Sequence, residues 1–465
     1  MPSCRANQYS WWKLLMNADT YVITEKTIKE PPTSLLKKLK FLGPGFILSA
    51  SIVGSGELIA TTTLGAKAGF AAFWIIIVSC LVKVAVQLEF GKRAILTGQT
   101  AMRSFNDLSP HHSRKGNWIV WMVFIFISLK IIQIGGILGG AAIVLNMLFP
   151  FVSVFAWAFI IALLSSALIY KGYYSVVEKG SLVLIAGFTI ATIAAVVMLQ
   201  FTAFRFSWIE IGEGLQFKFP SAIVAVAFGA FGITGVGADE IVAYNYWCIE
   251  KGYAAFTGPR NDTEEWKKRA KGWIGVMYLD AIVAMIIYTI VTAAFYLLGA
   301  AILYGRSVIP QGNEVIETLA LIYTQSLGEG AKTIYLVGAF FVLFSSVFAS
   351  LGAWTRIFPD IFGQMGWINF FDLQQRKRIV SWLALVIPLI WATMFLFIKL
   401  PVLMIISGGI VGSVLLFIIV FAAIQFYRRR AAFMPSGILY KIAFAVSVLS
   451  IIIVGIYGLI QLSSV

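Results

Sequence analysis

The chain has 465 residues, of which 60% are hydrophobic and only 12% charged, and its mean hydropathy is +0.88. This composition excludes a soluble domain, because the apolar residues form runs of roughly twenty or more, the length that crosses a bilayer as a helix. The formal net charge of +15 does not indicate nucleic-acid binding, because the Lys and Arg residues lie between the apolar runs rather than in one patch.

Residues 1–40 are polar and basic. They contain no short apolar core followed by a small-residue cleavage site, so they are not a signal peptide. We predict a cytoplasmic N-terminal tail.

Eleven apolar segments follow, and each predicts one membrane-spanning helix. Their approximate bounds are 42–67, 70–98, 117–148, 150–170, 180–202, 220–248, 272–299, 333–357, 379–398, 400–427 and 438–462. The sequence thus predicts an all-α integral membrane protein. We expect five-helix repeats at 41–202 and 203–427, and an additional C-terminal helix at 428–465.

The basic residues predict the orientation of these spans. They concentrate in the tail, in the 92–115 and 251–271 loops, and at 428–430. Loops rich in Lys and Arg stay on the cytoplasmic side. We therefore expect a multi-pass protein of the cell membrane with a cytoplasmic N-terminus and, because the number of spans is odd, an external C-terminus.

Two of the spans are interrupted. The first carries Gly-Ser-Gly-Glu at its middle, residues 54–57, and the sixth carries Gly235 and Gly237 just before Asp239 and Glu240. Irregular backbone at membrane depth is tolerated only where protein or a water-filled cavity surrounds it. The first and sixth spans run in opposite directions, which is the pattern of a 5+5 inverted repeat with the substrate site at the midplane.

Three acids lie at these interruptions, namely Glu57, Asp239 and Glu240. Unwinding the first span near Gly54 would free backbone carbonyls beside them. Such an all-oxygen environment suits a hard divalent cation, Mg²⁺ or Mn²⁺. Asp239 and Glu240 point about 100° apart on a regular helix, so we expect unwound backbone if both reach one ion.

Other ionisable residues lie within apolar spans, among them Lys83, Lys130 and Asp280. For each lysine three roles remain open: a counter-ion to a carboxylate, a substitute for a coupling cation, or a ligand for an anionic substrate group. Asp280 is a candidate for a proton or ion path. Glu89, close to the end of its span, is expected to be a solvated or paired interfacial acid.

No nucleophile–base pair, phosphate-binding glycine loop or His-based metal motif is present. The sequence therefore predicts no enzyme, and the lack of a nucleotide-binding loop argues against a primary pump. We expect no cofactor, no nucleic acid and no obligate protein partner, only the lipid bilayer and a small inorganic cation as substrate.

Several stretches resemble the Nramp-type divalent metal transporters, which share a LeuT-like fold. In the first span these are Gly-Pro-Gly-Phe from Gly43 and Leu-Gly-Ala-Lys-Ala-Gly-Phe from Leu64, followed by Trp74. The similarity continues through 88–97, 145–149 and 232–235. The resemblance implies an alternating-access transporter in which the first, second, sixth and seventh spans rock against the rest.

The metal-binding motifs of that family are replaced in this chain. Its Asp-Pro-Gly-Asn falls on residues 54–57, so that its metal-binding Asp corresponds to Gly54 and its Asn to Glu57. Its Met-Pro-His falls on Asp239-Glu240-Ile241. The residue that supplies a backbone-carbonyl ligand in the family corresponds to Val236. The acidic proton-path residues of the family correspond to Gln133 and Gly136, and its second His corresponds to Tyr246.

We interpret the chain as a secondary-active or facilitative transporter of a divalent cation with a hard-ligand site. Glu57, Asp239 and Glu240 would bind the cation together with carbonyls near Gly54 and Val236. The alternative is an amino-acid or organic-acid transporter of the same fold, in which Lys83 or Lys130 binds the substrate carboxylate.

Overall fold

A computed structural model describes residues 19–108, 116–170, 174–218, 220–306, 309–310, 315–328, 330–431 and 434–463. Within these ranges all regular structure is helical. The predictions for residues 1–18 of the tail and for the C-terminal Val465 fall outside the described residues.

Eleven helices occupy the predicted spans. They are α1 Pro44–Ala68, α2 Phe73–Thr97, α3 Trp118–Leu148, α4 Val154–Tyr170, α5 Tyr174–Leu199, α6 Val224–Glu250, α7 Glu264–Tyr304, α8 Ala331–Gln364, α9 Leu373–Ile398, α10 Pro401–Ala431 and α11 Ile438–Ser463. The shorter helices are Glu25–Thr27, Leu35–Leu39, Ala101–Asn106, Trp208–Gly214, Ser221–Ile223, Tyr253–Thr257 and Val315–Leu327.

In the described part of the chain, nine helices are long and apolar enough to cross a bilayer. The other two are shorter apolar helices, α4 and the stretch Ala186–Leu199 of α5. The predicted all-α membrane architecture is confirmed. α1 and α6 lie at its centre, since 82% and 89% of their most apolar windows are buried, compared with 28% for α11.

In both α2 and α3 the regular helix stops for one residue. These residues are Lys83 and Lys130, whose side chains are 0% and 2% exposed. A charged group inside a membrane protein needs polar partners from the protein itself. The partners of both lysines lie on α6.

Glycines bring α6 and α10 into close contact. A Cβ added at Gly232 would collide with the carbonyl oxygen of Gly409, and one added at Gly409 would lie 2.8 Å from the carbonyl carbon of Gly229. Ser413 on α10 donates a hydrogen bond of 2.7 Å to the carbonyl oxygen of Phe228. Small residues permit such backbone approach, which is how membrane helices commonly pack.

Replacing Gly232 by alanine should therefore separate α6 from α10 and lower stability, by about 1–3 kcal/mol if the cost is that of ordinary overpacking. Thermal unfolding of the detergent-solubilised protein measures the effect. Gly275→Ala on α7 is the matched control, because nothing lies within 4 Å of its added Cβ. Equal unfolding temperatures for the two variants would contradict this account of the contact.

Residues 19–33 pack across one face of the bundle, the face on which α2, α6 and α10 end. We call it the basic face. The Asp19 carboxylate accepts a hydrogen bond of 2.7 Å from Arg376, and Tyr21 Oη donates one of 2.7 Å to Glu250. Trp273 Nε1 donates to the carbonyl of Lys29. This part of the predicted tail is thus anchored to α6, α7 and α9.

Candidate functional site

α6 consists of two half-helices. The first ends at Ile233 and the second begins at Ala238, with Thr234–Gly237 between them. Gly235 has φ +65°, in the left-handed region that favours glycine. The predicted interruption of the sixth span is therefore present, and the positive end of the second half-helix dipole faces the gap.

α1 has no corresponding gap. Its α-helix runs to Ser55 and continues as a π-helical turn, Gly56–Thr61, before the α-helix resumes. The hydroxyl of Thr61 donates to the carbonyl of Gly56, so this carbonyl already has a partner. The prediction of an unwound segment that exposes carbonyls near Gly54 is wrong, because a π turn widens the helix without breaking it.

Gly54 has a packing role. A Cβ added there would lie 2.7 Å from the carbonyl oxygen of Val342 and would collide with Ser346, both on α8. Ser346 also donates a hydrogen bond of 2.8 Å to the carbonyl of Ser51. Gly54 thus permits close contact between α1 and α8, and it is absent from the lining of the cavity described below.

Asp239 and Lys130 form a buried ion pair that joins α6 to α3. The two side chains are 9% and 2% exposed. The indole Nε1 of Trp354 lies 3.5 Å from the second carboxylate oxygen of Asp239. Of the three roles open for Lys130, the geometry shows a counter-ion.

Glu240 is held at the start of the second half-helix of α6. One carboxylate oxygen accepts a hydrogen bond of 2.7 Å from the Ser51 hydroxyl, and the other accepts one of 2.7 Å from the backbone N–H of Gly237. The second bond satisfies an N–H that the helix leaves without a partner. Glu240 therefore ties α6 to α1.

Asp239 and Glu240 line one cavity of about 20 Å³ together with Ser51, Lys130 and Gln133. This volume holds one water-sized particle. Gln133 Oε1 is buried and has no hydrogen-bond partner among the described residues. The two acids reach the cavity from a regular helical turn, so the unwinding that we expected at this pair is not required.

A second cavity, of about 10 Å³, shares Ser51, Asp239 and Glu240 with the first. It extends past Ala243 and Trp247, that is, along α6 towards the basic face. The two cavities thus adjoin each other at the acidic pair, and most of the residues that line the second one are apolar. Ser51 and Ser350, the latter on α8, line both cavities but were not predicted from the sequence. The feature that could have indicated these two residues is a hydroxyl group within an apolar span.

Glu57 lies elsewhere. Its Oε1 accepts hydrogen bonds from the Thr292 hydroxyl at 2.6 Å and from the backbone N–H of Gly235 at 3.4 Å, and its buried Oε2 has no partner within the described residues. It does not line the cavity of Asp239. No three His, Cys, Asp or Glu side chains of the described chain cluster as a metal site. The structure thus does not bring the three carboxylates together around this cavity, and a site of all three stays a prediction.

Lys83 satisfies the end of the first half-helix of α6. Its Nζ donates to the carbonyls of Phe231 and Thr234, the latter at 2.8 Å. These carbonyls face the gap, where the helix provides no partner for them. Among the described ion pairs none includes Lys83, so the structure does not support a counter-ion role. Val236 is fully buried in the gap but does not line the cavity.

Asp280 caps the start of α1. Its two carboxylate oxygens accept hydrogen bonds from the backbone N–H groups of Gly43 and Gly45, and Tyr244 Oη lies 3.4 Å away. A carboxylate at a helix N-terminus stabilises that helix. Its position indicates a structural role rather than the proton or ion path that we considered.

Comparisons with known proteins agree with this architecture. A family model described as natural resistance-associated macrophage protein-like, Nramp, matches residues 45–461. An uncharacterized protein of Pasteurella multocida is 24% identical over 354 residues, which cover 72% of this chain and 73% of that protein. A divalent metal cation transporter, MntH, of Caldanaerobacter subterraneus is 25% identical over 287 residues, covering 60% of this chain and 62% of that protein.

Two solved structures share the fold. A manganese transporter of Eremococcus coleocola superposes with a TM-score of 0.66 at 16% identity, and the match covers 95% of this chain and 91% of that one. The protein MhsT, in complex with L-phenylalanine, superposes with a TM-score of 0.56 at 15% identity, covering 94% and 99%. The same fold thus occurs in a manganese transporter and in a protein solved in complex with L-phenylalanine.

Proposed function

The chain belongs to the natural resistance-associated macrophage protein-like (Nramp) family, and we propose that it transports a divalent metal cation by a secondary-active or facilitative mechanism. The observation that carries the proposal is the acidic pair Asp239 and Glu240, which lines a buried cavity beside the break in α6. A relative named as a divalent metal cation transporter supports the substrate class.

The atoms around the cavity favour a hard cation. Besides the two carboxylates, the hydroxyl of Ser51 and the amide oxygen of Gln133 are available, and Gln133 Oε1 lacks a partner among the described residues. Oxygen ligands of this kind suit Mg²⁺ and Mn²⁺, and none of them is the soft sulfur that favours later transition metals. Glu57 has no place in this ligand set.

Lys130 acts in this proposal as a tethered cation that competes with the substrate. A divalent cation that enters the cavity separates Asp239 from the Lys130 ammonium, because both cations attract the same carboxylate. When the substrate leaves, Lys130 pairs with Asp239 again. When no substrate is bound, Asp239 and Lys130 therefore neutralise each other, and no unpaired buried charge destabilises the protein.

An ion pair joins α6 to α8 at the basic face. The guanidinium of Arg356 on α8 donates two hydrogen bonds, of 2.7 and 2.9 Å, to the carboxylate of Glu250 at the end of α6, and Tyr21 Oη adds a third. We propose that this face is cytoplasmic, as its basic loops indicate. Rocking of α1, α2, α6 and α7 would open it by separating α6 from α8.

One observation favours a second candidate function, the transport of an amino acid or organic acid. The Lys130 ammonium lines the cavity, and it could bind a substrate carboxylate in place of Asp239. The two candidates make opposite demands on Lys130, since a cation competes with it whereas an anion needs it.

Uptake into proteoliposomes separates the candidates. We expect Mn²⁺ and Mg²⁺ to accumulate, and Glu240→Gln to reduce the initial rate roughly tenfold, the effect of losing about 1.4 kcal/mol of cation binding. Glu264→Gln is the matched control, because that carboxylate is 90% exposed and pairs with Lys267 at the surface. It removes the same charge far from the cavity and should leave uptake unchanged.

Two outcomes would count against cation transport. Metal uptake no faster than in empty liposomes, with accumulation of amino acids, would favour the second candidate. Metal uptake that Glu240→Gln and Glu264→Gln leave equally intact would remove the acidic pair from the transport route.

A further inference from the structure

A third cavity, with a distinct chemistry, lies at the basic face, away from the transport site. Its volume is about 250 Å³, and four arginines line it: Arg93 at the end of α2, Arg260 in the loop between α6 and α7, and Arg429 and Arg430 at the end of α10. We call it the arginine pocket. Three separate segments of the chain thus direct guanidinium groups towards one space.

The single acid of the arginine pocket is already neutralised. The Glu89 carboxylate pairs with Lys92 at 2.7 Å and with Arg430 at 3.2 Å, and it accepts a further hydrogen bond of 2.6 Å from Tyr440 Oη. Two cations therefore surround one anion here. Glu89 does not oppose the binding of a negative ligand.

Of the other three arginines, Arg93 and Arg260 face carboxylates and Arg429 faces a neutral group. Arg93 lies 3.8 Å from the Asp107 carboxylate, and Arg260 pairs with Asp262, whose pKa is held below its ordinary value by that hydrogen bond. Arg429 donates to the backbone carbonyl of Asp107, which carries no charge. Among the described residues at the pocket, Lys92 and the four arginines are five cations, whereas Glu89, Asp107 and Asp262 are three anions, so two positive charges are in excess.

We propose that the arginine pocket binds the phosphate group of an anionic ligand at the basic face. Planar guanidinium groups match phosphate oxygens with paired N–H donors, and basic pockets between membrane helices are suited to anionic headgroups. The apolar walls formed by Leu96 and Phe426 accommodate the carbon atoms next to the phosphate. This ligand chemistry has two sources, an anionic phospholipid of the adjoining leaflet or free phosphate.

Native mass spectrometry of the full-length protein tests the proposal. The probes are phosphatidylglycerol, phosphatidylcholine and inorganic phosphate, each added to the detergent-solubilised protein. We expect specific adducts with phosphatidylglycerol or with inorganic phosphate, which identifies the source, and none above background with phosphatidylcholine, whose headgroup has no net charge.

Arg429→Gln should weaken the adduct about fivefold, the contribution of one basic residue near an anionic surface. Arg428→Gln is the matched control, since Arg428 is exposed on the same helical turn but does not line the pocket. Arg260→Gln is a second variant, and because Arg260 lies in a loop and is 39% exposed, we expect it to affect folding little. The double variant Arg260→Gln/Arg429→Gln should lose the adduct almost completely.

Two results would overturn the proposal. One is an adduct of equal strength in the parent and the double variant. The other is an equal loss in Arg428→Gln and Arg429→Gln, which would indicate a general attraction to the positive surface instead of a site.

Discussion

Asp239→Asn should abolish cation uptake and destabilise the protein in one step. The substitution leaves the Lys130 ammonium, only 2% exposed, without the carboxylate with which it pairs. Breaking a buried pair by removing one partner costs about 3–5 kcal/mol, because the remaining charge is uncompensated. We therefore expect both a large fall in unfolding temperature and the loss of Mn²⁺ and Mg²⁺ transport.

Two further variants separate folding from function. The double variant Lys130→Gln/Asp239→Asn removes both charges, so the unfolding temperature should recover, whereas cation uptake should not. Lys130→Gln alone should raise the affinity for the cation, because Asp239 then has no internal competitor. These expectations are checked by initial uptake rates at several cation concentrations and by thermal unfolding in detergent.

The same set of variants can refute the proposed role of the pair. Uptake by the double variant at the parent rate would show that Asp239 does not bind the substrate. Loss of all uptake in Lys130→Gln, with the fold intact, would favour an anionic substrate that requires the ammonium.

Glu89→Gln should cause the largest loss of stability outside the transport site. The Glu89 carboxylate is fully buried and faces Lys92 and Arg430, so the amide would leave two buried cations around a neutral group. The expected cost is again about 3–5 kcal/mol. It should be visible as a fall in unfolding temperature and as a lower yield of folded protein.

Two control variants provide smaller losses of stability with which the effect of Glu89→Gln can be compared. Tyr440→Phe removes one hydrogen bond to the same carboxylate and should cost about 1 kcal/mol. Asp107→Asn breaks the partly exposed pair with Arg93, whose atoms are 3.8 Å apart, and should cost less than about 1 kcal/mol. If Glu89→Gln unfolds at the same temperature as Asp107→Asn, the Glu89 cluster is not the stabilising unit described here.

The sequence was sufficient for the architecture and for part of the site. Long apolar segments rarely form anything but membrane helices, so the positions of the eleven helices were predictable; in the described residues nine of them are long and apolar enough to cross a bilayer. The break in α6 was equally predictable, because Gly235 and Gly237 stand directly before two acids in an apolar span. Irregular backbone and charged side chains are unfavourable in contact with lipid, so such a segment must be surrounded by protein.

Residue contacts across the bundle could not be predicted in this way. Spacing along the chain gives depth in the membrane but not the rotation of a helix about its axis. Glu57 lies at the middle of α1 along the chain, yet its carboxylate faces Thr292 on α7 instead of the cavity. Lys83 and Lys130 look equivalent in sequence, but the first binds backbone carbonyls and the second a carboxylate. No pattern that we recognised in the sequence of α1 indicates its π-helical turn.

The anchored N-terminal segment has a consequence for the order of assembly during synthesis. Asp19 and its partner Arg376 are separated by 357 positions along the chain. Residues 19–33 are synthesised long before Arg376, so this pair cannot form until α9 has emerged from the ribosome. This segment thus completes its docking only after most of the bundle is in the bilayer.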